Sequence, residues 1–297
     1  MPILNFGSMN IDHIYRVDHI TAPGETIASQ ALQYSPGGKG LNQSISLAKS
    51  GAEVYHAGCA GKDGSMLVDL LEQSGVRTDY LKTVDTVNGH AIIQVNREGQ
   101  NSIIIHSGSN GALTQAMVDE TLDLFRDDVL VLIQNETSQV EYIARQCAAR
   151  HLTLAFNPSP YSPELESFPF DAVSYLLINE TEGFQISGEE EPDRIVDYLL
   201  ARYPHMHVVL TLGSKGVLYA EESRRIHQDA FRVNAVDTTG AGDTFTGFFL
   251  GLTVQGFPAE DALRFACAAA ALSVTQIGAA ASVPTMAQVE EFLLTSK

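Results

Sequence analysis

Residues 236–245 have the sequence Val-Asp-Thr-Thr-Gly-Ala-Gly-Asp-Thr-Phe and lead into the apolar run Phe-Thr-Gly-Phe-Phe-Leu-Gly-Leu. An uncharged run that follows glycines predicts a buried helix, which we expect to start at Phe245. The residues just before it, Gly240, Ala241 and Gly242, are small enough to let a ligand approach their backbone N–H groups. The stretch therefore predicts a turn whose amides, with the helix N-terminus, form a hole for an anion.

Asp243 is the candidate for chemistry within this stretch. An acid beside an anion hole can accept a hydroxyl proton while negative charge develops on the oxygens of a transferred phosphoryl group. The same pattern also fits a purely structural role, because Asp and Gly are common where helices begin. This stretch alone leaves both interpretations open.

Strands alternate with helices along most of the chain. Short β-rich runs occupy residues 3–6, 54–59, 129–133, 153–156, 175–178 and 208–212. This alternation predicts an α/β fold with a doubly wound, mostly parallel sheet and helices on both faces. Segments within 11–36 and 90–107 instead predict antiparallel strands, which would form a small β-sheet lid over the site or pair with another subunit. We expect one domain over residues 1–297.

Composition restricts the partners and the compartment. The 297 residues include 36 acidic and 18 basic ones, so repulsion disfavours nucleic acid and anionic membranes. Three cysteines without a C-x-x-C pair predict buried free thiols and a reducing, cytoplasmic environment. The N-terminal residues predict a first strand rather than a secretory signal. The uncharged stretch 265–289 is interrupted by Pro284 and polar residues, which favours a buried helix and turn over a membrane span.

A second glycine cluster covers residues 37–43, Gly-Gly-Lys-Gly-Leu-Asn-Gln, and feeds a predicted helix that ends at Gly51. Lys39 and Asn42 can hydrogen-bond the hydroxyls or an early phosphate of a ligand. The spacing is not that of a Walker A loop, and no G-x-G-x-x-G follows the first strand. A bound nucleotide would need other contacts, and a dinucleotide oxidoreductase is disfavoured.

Polar residues follow several predicted strands, at the edge where a parallel sheet presents its ligand crevice. They are Asn10 and Asp12, Glu136, Asn157, Asn179 and Glu182. Asp12 can accept two adjacent sugar hydroxyls, although a solvated turn is an alternative. Asn179 and Glu182 can hold hydrated Mg²⁺ beside a polyphosphate, or they can simply cap a helix.

The order of these motifs resembles the ribokinase (PfkB) family of carbohydrate kinases from end to end. The motifs are Gly7-Ser-x-Asn10-x-Asp12, Pro23-Gly24-Glu25-Thr26, Gly37-Gly38-Lys39-Gly40-x-Asn42-Gln43, Asn179-Glu180-Thr181-Glu182, Thr211-x-Gly213-Ser214-x-Gly216 and residues 237–245. The resemblance implies a ribokinase-like fold and an ATP-dependent sugar kinase that phosphorylates the 5-hydroxyl of D-ribose. It also implies a homodimer formed through the β-lid.

The resemblance assigns roles residue by residue. Asp243 would be the catalytic base, and Gly240, Ala241 and Gly242 would line the anion hole. The sugar would contact Asn10, Asp12, Gly38, Lys39, Asn42 and Glu136. ATP would contact Asn179, Thr211, Gly213, Ser214 and Gly216, and Glu182 would be tied to Mg²⁺. An activating K⁺ ion would be held by Asp237, Thr239, Ser273, Gln276, Gly278 and Ser282.

Two departures and two alternatives accompany the resemblance. Leu41 stands where the family commonly has a small residue, and Asn135 where an apolar residue is frequent, so we expect a reshaped sugar wall. A kinase for 2-deoxyribose, another small sugar or a nucleoside is the same-family alternative. A non-catalytic sugar or nucleotide sensor is a second alternative, but it would not need both Asp243 and the anion hole.

Overall fold

The computed structural model describes residues 1–125 and 128–296. In chain order its strands are β1 (Ile3–Phe6), β2 (Asn10–Arg16), β3 (Ala31–Gly37), β4 (Val54–Ala60), β5 (Arg77–Thr83), β6 (Gly89–Val95), β7 (Asn101–His106), β8 (Leu130–Gln134), β9 (Thr153–Asn157), β10 (Tyr175–Asn179), β11 (His207–Thr211), β12 (Val217–Glu221) and β13 (Arg224–Gln228). Its helices are α1 (Lys39–Lys49), α2 (Ser65–Gln73), α3 (Gln115–Leu122), α4 (Val140–Ala149), α5 (Glu180–Ser187), α6 (Pro192–Arg202), α7 (Ala241–Val254), α8 (Ala259–Ser273) and α9 (Met286–Thr295).

The main sheet has the strand order β13-β12-β11-β10-β9-β8-β1-β4-β5. All neighbours from β11 to β5 are parallel, and β12 and β13 extend the sheet with an antiparallel hairpin. The predicted doubly wound, mostly parallel sheet is confirmed. Strands β1, β4 and β5 follow one another in one direction across the sheet and β8 to β11 in the other, so the order reverses between β1 and β8. Such a switch point opens a crevice beyond the carboxyl ends of the strands.

Alternate residues of the central strands pack on opposite faces of the sheet. In β8, Val131 and Ile133 join the hydrophobic cluster on one face, and Leu130 and Leu132 join the cluster on the other. All four are fully buried, which explains why this strand is a continuous apolar run without polar alternation. The six predicted strands are present with ends shifted by no more than a few residues.

The three cysteines are free and buried, as the sequence predicts. Burial raises the pKa of the Cys59 thiol to about 11, so this thiol stays protonated at neutral pH. In the described ranges no helix combines the length and apolar character that a bilayer crossing requires.

Helix α7 begins at Ala241, so the prediction of a start at Phe245 was wrong. Gly240 precedes the helix with φ 75°, a left-handed conformation that glycine adopts without strain. The N–H of Thr244 already donates to the carbonyl of Gly240 at 2.8 Å, which is a helical bond. Asp243 therefore lies inside the first turn, close to the unpaired N–H groups of the helix end.

The lid is a four-stranded sheet of order β3-β2-β6-β7. Its two hairpins, β2–β3 and β6–β7, are antiparallel as predicted, and they join through a parallel β2–β6 pair that the sequence did not predict. Ile103, Ile104 and Ile105 of β7 are more than half exposed. The outer strand of the lid therefore presents apolar side chains to solvent.

Candidate active site

A cleft of about 130 Å³ lies at the carboxyl edge of the main sheet, where the glycine clusters of α1 and α7 meet. It is lined by Lys39, Asn157, Ser159, Leu177, Ile178, Asn179, Glu182, Thr211, Thr238, Gly240, Ala241, Gly242, Asp243 and Thr246. A larger cavity of about 470 Å³, between the loop after β9 and helices α5 and α6, contains none of the predicted site residues. The smaller cleft is therefore the candidate site.

Two side-chain amides from α1 hold the Asp243 carboxylate. Asn42 donates from Nδ2 to Oδ2 at 3.0 Å, and Gln43 donates from Nε2 to Oδ1 at 2.8 Å. Asp243 is only 7% exposed, and it lines the cleft from the first turn of α7. Because both oxygens accept hydrogen bonds from fixed donors, the carboxylate is oriented before any ligand binds.

A buried chain of amides fixes the Gln43 donor in turn. Asn5 donates to the carbonyl of Gly40 at 2.8 Å, so its oxygen is left to accept from Gln134 at 2.9 Å. Gln134 also donates to the side-chain oxygen of Gln43 at 2.8 Å. Since the oxygen of Gln43 is used there, its nitrogen must face Asp243.

The N–H groups at the start of α7 differ in their availability. The N–H of Ala241 donates to the carbonyl of Thr238 at 3.3 Å. Those of Gly242 and Asp243 have no acceptor in the part of the chain that the structure describes. A Cβ atom added at Gly242 would meet nothing within 4 Å, so the space beside this residue is open. Gly242 and Asp243, more than Ala241, supply the free donors of the predicted anion hole.

Close backbone packing explains the glycine at position 40. A Cβ atom at Gly40 would lie 2.2 Å from the nitrogen of Ser8 and 2.3 Å from the Cα atom of Gly7. Only glycine lets the start of α1 approach the end of β1 this closely. This contact brings Lys39 and Asn42 over the carboxyl edge of the sheet.

Lys39 is the first residue of α1 and the basic side chain that lines the cleft. Burial alone would lower the pKa of its ammonium group, but the negative charges of Asp243, Glu136 and Glu182 outweigh burial and raise this pKa. Lys39 therefore stays a cation between three carboxylates.

The side of the site next to the lid contains Glu136 and Asp12. One oxygen of Glu136 accepts from the hydroxyl of Ser8 at 2.5 Å and from the N–H of Lys39 at 2.9 Å. Burial raises the pKa of Glu136 against the opposing charge of Lys39. Burial, and then the negative charge of Glu136, raises the pKa of Asp12 to about 6. Among the described residues no side chain hydrogen-bonds Asp12, so its oxygens remain available to a ligand.

Asn179 and Glu182 form a capping box at the start of α5. The N–H of Glu182 donates to Asn179 Oδ1 at 2.9 Å, and the N–H of Asn179 donates to Glu182 Oε2 at 3.0 Å. The helix-capping alternative from the sequence is thus present. Both residues also line the cleft, and Oε1 of Glu182 makes no bond in the cap.

The remaining predicted nucleotide contacts lie at the end of β11. Thr211 lines the cleft and donates from its hydroxyl to the carbonyl of Ile178 at 3.2 Å. Gly213 and Ser214 form a 3₁₀ turn that ends at Gly216, outside the cleft lining. The structure therefore brings Thr211 to the site and leaves the other three at its margin.

The predicted cation residues come from two loops that Asp237 ties together. Its Oδ1 accepts from the N–H of Thr239 at 2.9 Å, and its Oδ2 accepts from the N–H of Gly278 at 2.9 Å. A hydrogen bond from the Thr239 hydroxyl at 2.6 Å, together with these two bonds, lowers the pKa of Asp237 against the opposing effect of burial. Ser273 and Ser282 are buried and donate to the carbonyls of nearby residues, whereas Gln276 is exposed.

The two departures lie away from the cleft. Leu41 is fully buried in the hydrophobic core, and Asn135 donates to the carbonyl of Pro160 at 2.7 Å. Neither lines the cleft. The predicted sugar contacts Asn10, Asp12 and Glu136 also lie outside that lining, so the expected reshaping of a sugar wall stays a prediction.

Sequence reasoning missed the buried polar residues that hold the site in place. They are Ser8, Asn88, Asn110, Gln134 and, as a partner of Asp243, Gln43. A polar residue inside an apolar strand was the one available signal, and Gln134 at the end of β8 gives it. The other contacts join positions far apart in the chain.

A doubly wound sheet, a separate four-stranded lid sheet and a buried acid beside free helix-end amides define the class as a phosphotransferase for a small hydroxylated molecule. A model of the pfkB family of carbohydrate kinases matches residues 3–286. The chain belongs to this family.

Relatives match over nearly their whole length. The chain is 37% identical to a ribokinase of Bacillus subtilis (strain 168), covering 97% of each sequence. It is 32% identical to a deoxyribokinase of Salmonella typhi, covering 99% of each. The solved structure of an Arabidopsis thaliana ribokinase complexed with ribose and ATP superposes with a TM-score of 0.90 at 32% identity, covering 98% of both chains.

Proposed function

We propose that this protein is a ribokinase, which transfers the γ-phosphoryl group of ATP to the 5-hydroxyl of D-ribose. The observation that carries the proposal is the Asp243 carboxylate, oriented by Asn42 and Gln43 beside the free amides of Gly242 and Asp243. The full-length similarity to ribokinases supports ribose as the acceptor. The similarity to a deoxyribokinase is lower, and no contact in the site favours 2-deoxyribose.

The residues suggest how the reaction proceeds. Asp12, Glu136 and Lys39 would hold the sugar hydroxyls so that the attacking hydroxyl faces Asp243. The oxygen of the sugar hydroxyl forms a bond to the γ-phosphorus while the bond from phosphorus to ADP breaks. Asp243 accepts the proton of this hydroxyl late in that step. The free amides at the start of α7 and the ammonium group of Lys39 stabilise the charge on the transferred group.

ATP would enter along the edge formed by Asn179 and Thr211. Mg²⁺ prefers oxygen ligands and keeps several waters. The free Oε1 of Glu182 fits such an ion, because it lies in the cleft and the cap bonds occupy the other carboxylate oxygen. We therefore propose that Glu182 contacts the hydration shell of the Mg²⁺ that accompanies ATP and lowers repulsion between phosphate oxygens and the site.

The Asp237 loop fits a monovalent cation by the chemistry of its donors. The Asp237 carboxylate accepts from the N–H of Gly278, and the carbonyl of Val274 accepts from the N–H groups of Val236 and Asp237, so these two kinds of oxygen ligand lie on the two loops that Asp237 ties together. We predict that K⁺ raises turnover, because an ion here would hold the loop that precedes the amides of α7. ADP release would be measured in KCl and in tetramethylammonium chloride at equal ionic strength. Equal rates in the two salts would refute activation by K⁺.

The raised pKa of Asp12 predicts an acid limb in the pH profile. Sugar hydroxyls donate to an ionised Asp12, so kcat/KM for ribose is expected to fall about tenfold per unit below its pKa of about 6. The ATP profile at saturating ribose should be flatter there, because bound ribose keeps the carboxylate ionised. A kcat/KM for ribose that stays constant from pH 7 to pH 5 would contradict this role.

The same shift has a consequence for stability. Asp12 binds its proton more tightly in the folded state, so its stabilising contribution is complete below the ordinary value of 3.8 and is lost as pH rises to about 6. Asp12→Asn should therefore raise the unfolding free energy near pH 7 by about 1–3 kcal/mol while weakening ribose binding. Chemical denaturation of both proteins at pH 7 measures the difference.

We also propose a cytoplasmic homodimer that associates through the lid. The exposed isoleucines of β7 support an apolar contact between copies, and the free buried thiols support a reducing compartment. Light scattering at micromolar concentration tests the dimer. A monomer mass across that range would count against it.

The substrate is tested by ADP release from Mg-ATP with ribose, 2-deoxyribose, fructose and adenosine. Ribose should give the highest kcat/KM. Turnover with another acceptor alone would keep the kinase and change its substrate, and no turnover with any of them would favour the sensor.

A further inference from the structure

The side-chain amide of Asn10 is held by Asn110, which lies in the 3₁₀ turn that directly follows β7. Asn110 donates from Nδ2 to Asn10 Oδ1 at 2.7 Å. Its own Oδ1 accepts from the backbone N–H of Met9 at 3.0 Å. Asn10 and Asn110 are both buried, so these bonds form away from bulk water.

The direction of these bonds follows from one backbone group. The N–H of Met9 can only donate, so the end of Asn110 that faces it must be the oxygen, and the opposite end must be the nitrogen. That nitrogen donates, so Asn10 must face it with its oxygen. The nitrogen of Asn10 is therefore the end left over, and it has no partner among the described residues.

Asn10 and Asp12 are two residues apart on β2, so their side chains leave the same face of the lid. Asp12 offers an acceptor on this face, and Asn10 offers a donor. A pair of neighbouring hydroxyls matches such a donor and acceptor, because one hydroxyl can donate while the next accepts.

The surrounding backbone packs closely against this pair of side chains. A Cβ atom at Gly89 would lie 2.1 Å from Asn110 Nδ2 and 2.5 Å from Asn10 Oδ1, so the hydrogen bond passes directly over this glycine. Asn88 donates to the carbonyl of Met9 at 2.8 Å and accepts from the N–H of Gly61 at 3.0 Å. The segment that carries Asn10 is thereby fixed on both sides.

We propose that Asn110 is a positioning and specificity-determining residue for the sugar. It does not itself contact the sugar, but it holds the nitrogen of Asn10 toward one hydroxyl beside Asp12. The inference rests on the proposed function, because it assumes that a sugar occupies this face of the lid.

The test measures sugar binding by calorimetry, which does not depend on phosphoryl transfer. Wild-type protein is titrated with ribose and with pentoses that lack or invert one hydroxyl at a time. One position should carry a penalty of about tenfold or more in Kd, the expected effect of losing a hydroxyl that a buried group hydrogen-bonds. In Asn110→Asp two acceptors would face each other, so Asn10 would turn and its donor would be lost to the sugar.

Asn110→Asp should therefore bind ribose about tenfold more weakly and lose the penalty at that one position. Gly89→Ala should do the same by steric means, with both asparagines still present. Ser109→Ala is the matched control, because Ser109 is buried in the same turn and bonds Asn88 and the N–H of Gly89 without touching Asn10. Ser109→Ala should lower the melting temperature but keep the loss of sugar affinity at that one hydroxyl position.

The outcomes separate the two proposals. If wild-type protein binds the pentoses and both Asn110→Asp and Gly89→Ala keep the same positional penalty, the role of Asn110 is refuted while the ribokinase proposal stands. If only one of these two variants folds, the positional penalty measured in that variant decides the role of Asn110. Wild-type protein that binds none of the sugars would overturn the proposed function and this role together.

Discussion

Asp243→Asn is expected to lower kcat with ribose by about 10²–10⁴-fold, the usual contribution of a general base, while ribose binding changes little. The carboxylate is the group that accepts the hydroxyl proton, and the rest of the site remains to bind substrates. Initial rates of ADP release at saturating Mg-ATP and ribose measure the effect. Calorimetric titration with ribose measures binding separately.

This substitution also changes the hydrogen bonds around position 243. Asn42 and Gln43 both donate to the carboxylate, so an amide nitrogen placed there would face a donor. The mismatch should cost about 1–3 kcal/mol of stability, and the melting temperature must be recorded with the rate. Asp261→Asn is the matched control, because Asp261 is exposed in the first turn of the neighbouring helix α8. Turnover within threefold of wild type in Asp243→Asn would refute its role as the base.

Lys39→Met is expected to lower kcat by about 10²–10³-fold, the typical loss when one preorganised electrostatic group is removed. The substitution also leaves Asp243, Glu136 and Glu182 without the cation that they share. The pKa of Glu136 should rise further, since Lys39 opposes its upward shift. Protonation of Glu136, which is separate from the acid limb assigned to Asp12, should therefore extend to higher pH than in the wild-type protein.

Lys49→Met is the control for this experiment, since Lys49 lies in the last turn of the same helix, away from the cleft. It removes the same charge from the chain and should leave kcat and the pH profile unchanged. A Lys39→Met enzyme that shows the control's kcat and pH profile would contradict the electrostatic role of Lys39. Equal losses in both variants would indicate a general effect of charge.

Six of the seven parallel strands of the main sheet could be predicted, because each of the six is a short apolar run between turns or helices. Strands β5, β12 and β13 were missed for a physical reason. Strand β5 lies at the edge of the sheet and is partly exposed, so charged residues interrupt its apolar pattern. Strands β12 and β13 form an antiparallel hairpin, and β12 also pairs with β11 in an antiparallel arrangement. No helix separates these strands, so the alternation of strands and helices could not indicate them.

The chemistry-bearing residues of the site were easier to predict than the residues that hold them. Asp243 and Lys39 stand in glycine-rich turns, and such turns are visible in a sequence. Asn42 and Gln43 lie 201 and 200 residues from Asp243 in the chain, and Asn110 lies 100 residues from Asn10. Pairings over such distances depend on how the strands are ordered, so local pattern could not reveal them.

The start of α7 shows the limit of apolar pattern most directly. The pattern placed the helix start at Phe245, whereas the left-handed Gly240 allows it at Ala241. The four residues from 241 to 244 are polar or small, so they carry no apolar periodicity. They decide whether Asp243 stands before the helix or among its free N–H groups.

The most direct test of the central claim is the identity of the product formed from ribose and Mg-ATP. Phosphorus NMR of the reaction mixture should show one new phosphate ester coupled to the two protons of C5, together with an equal amount of ADP. An ester at another hydroxyl, or ADP without any ribose phosphate, would contradict the proposal that this site delivers the 5-hydroxyl of ribose to Asp243.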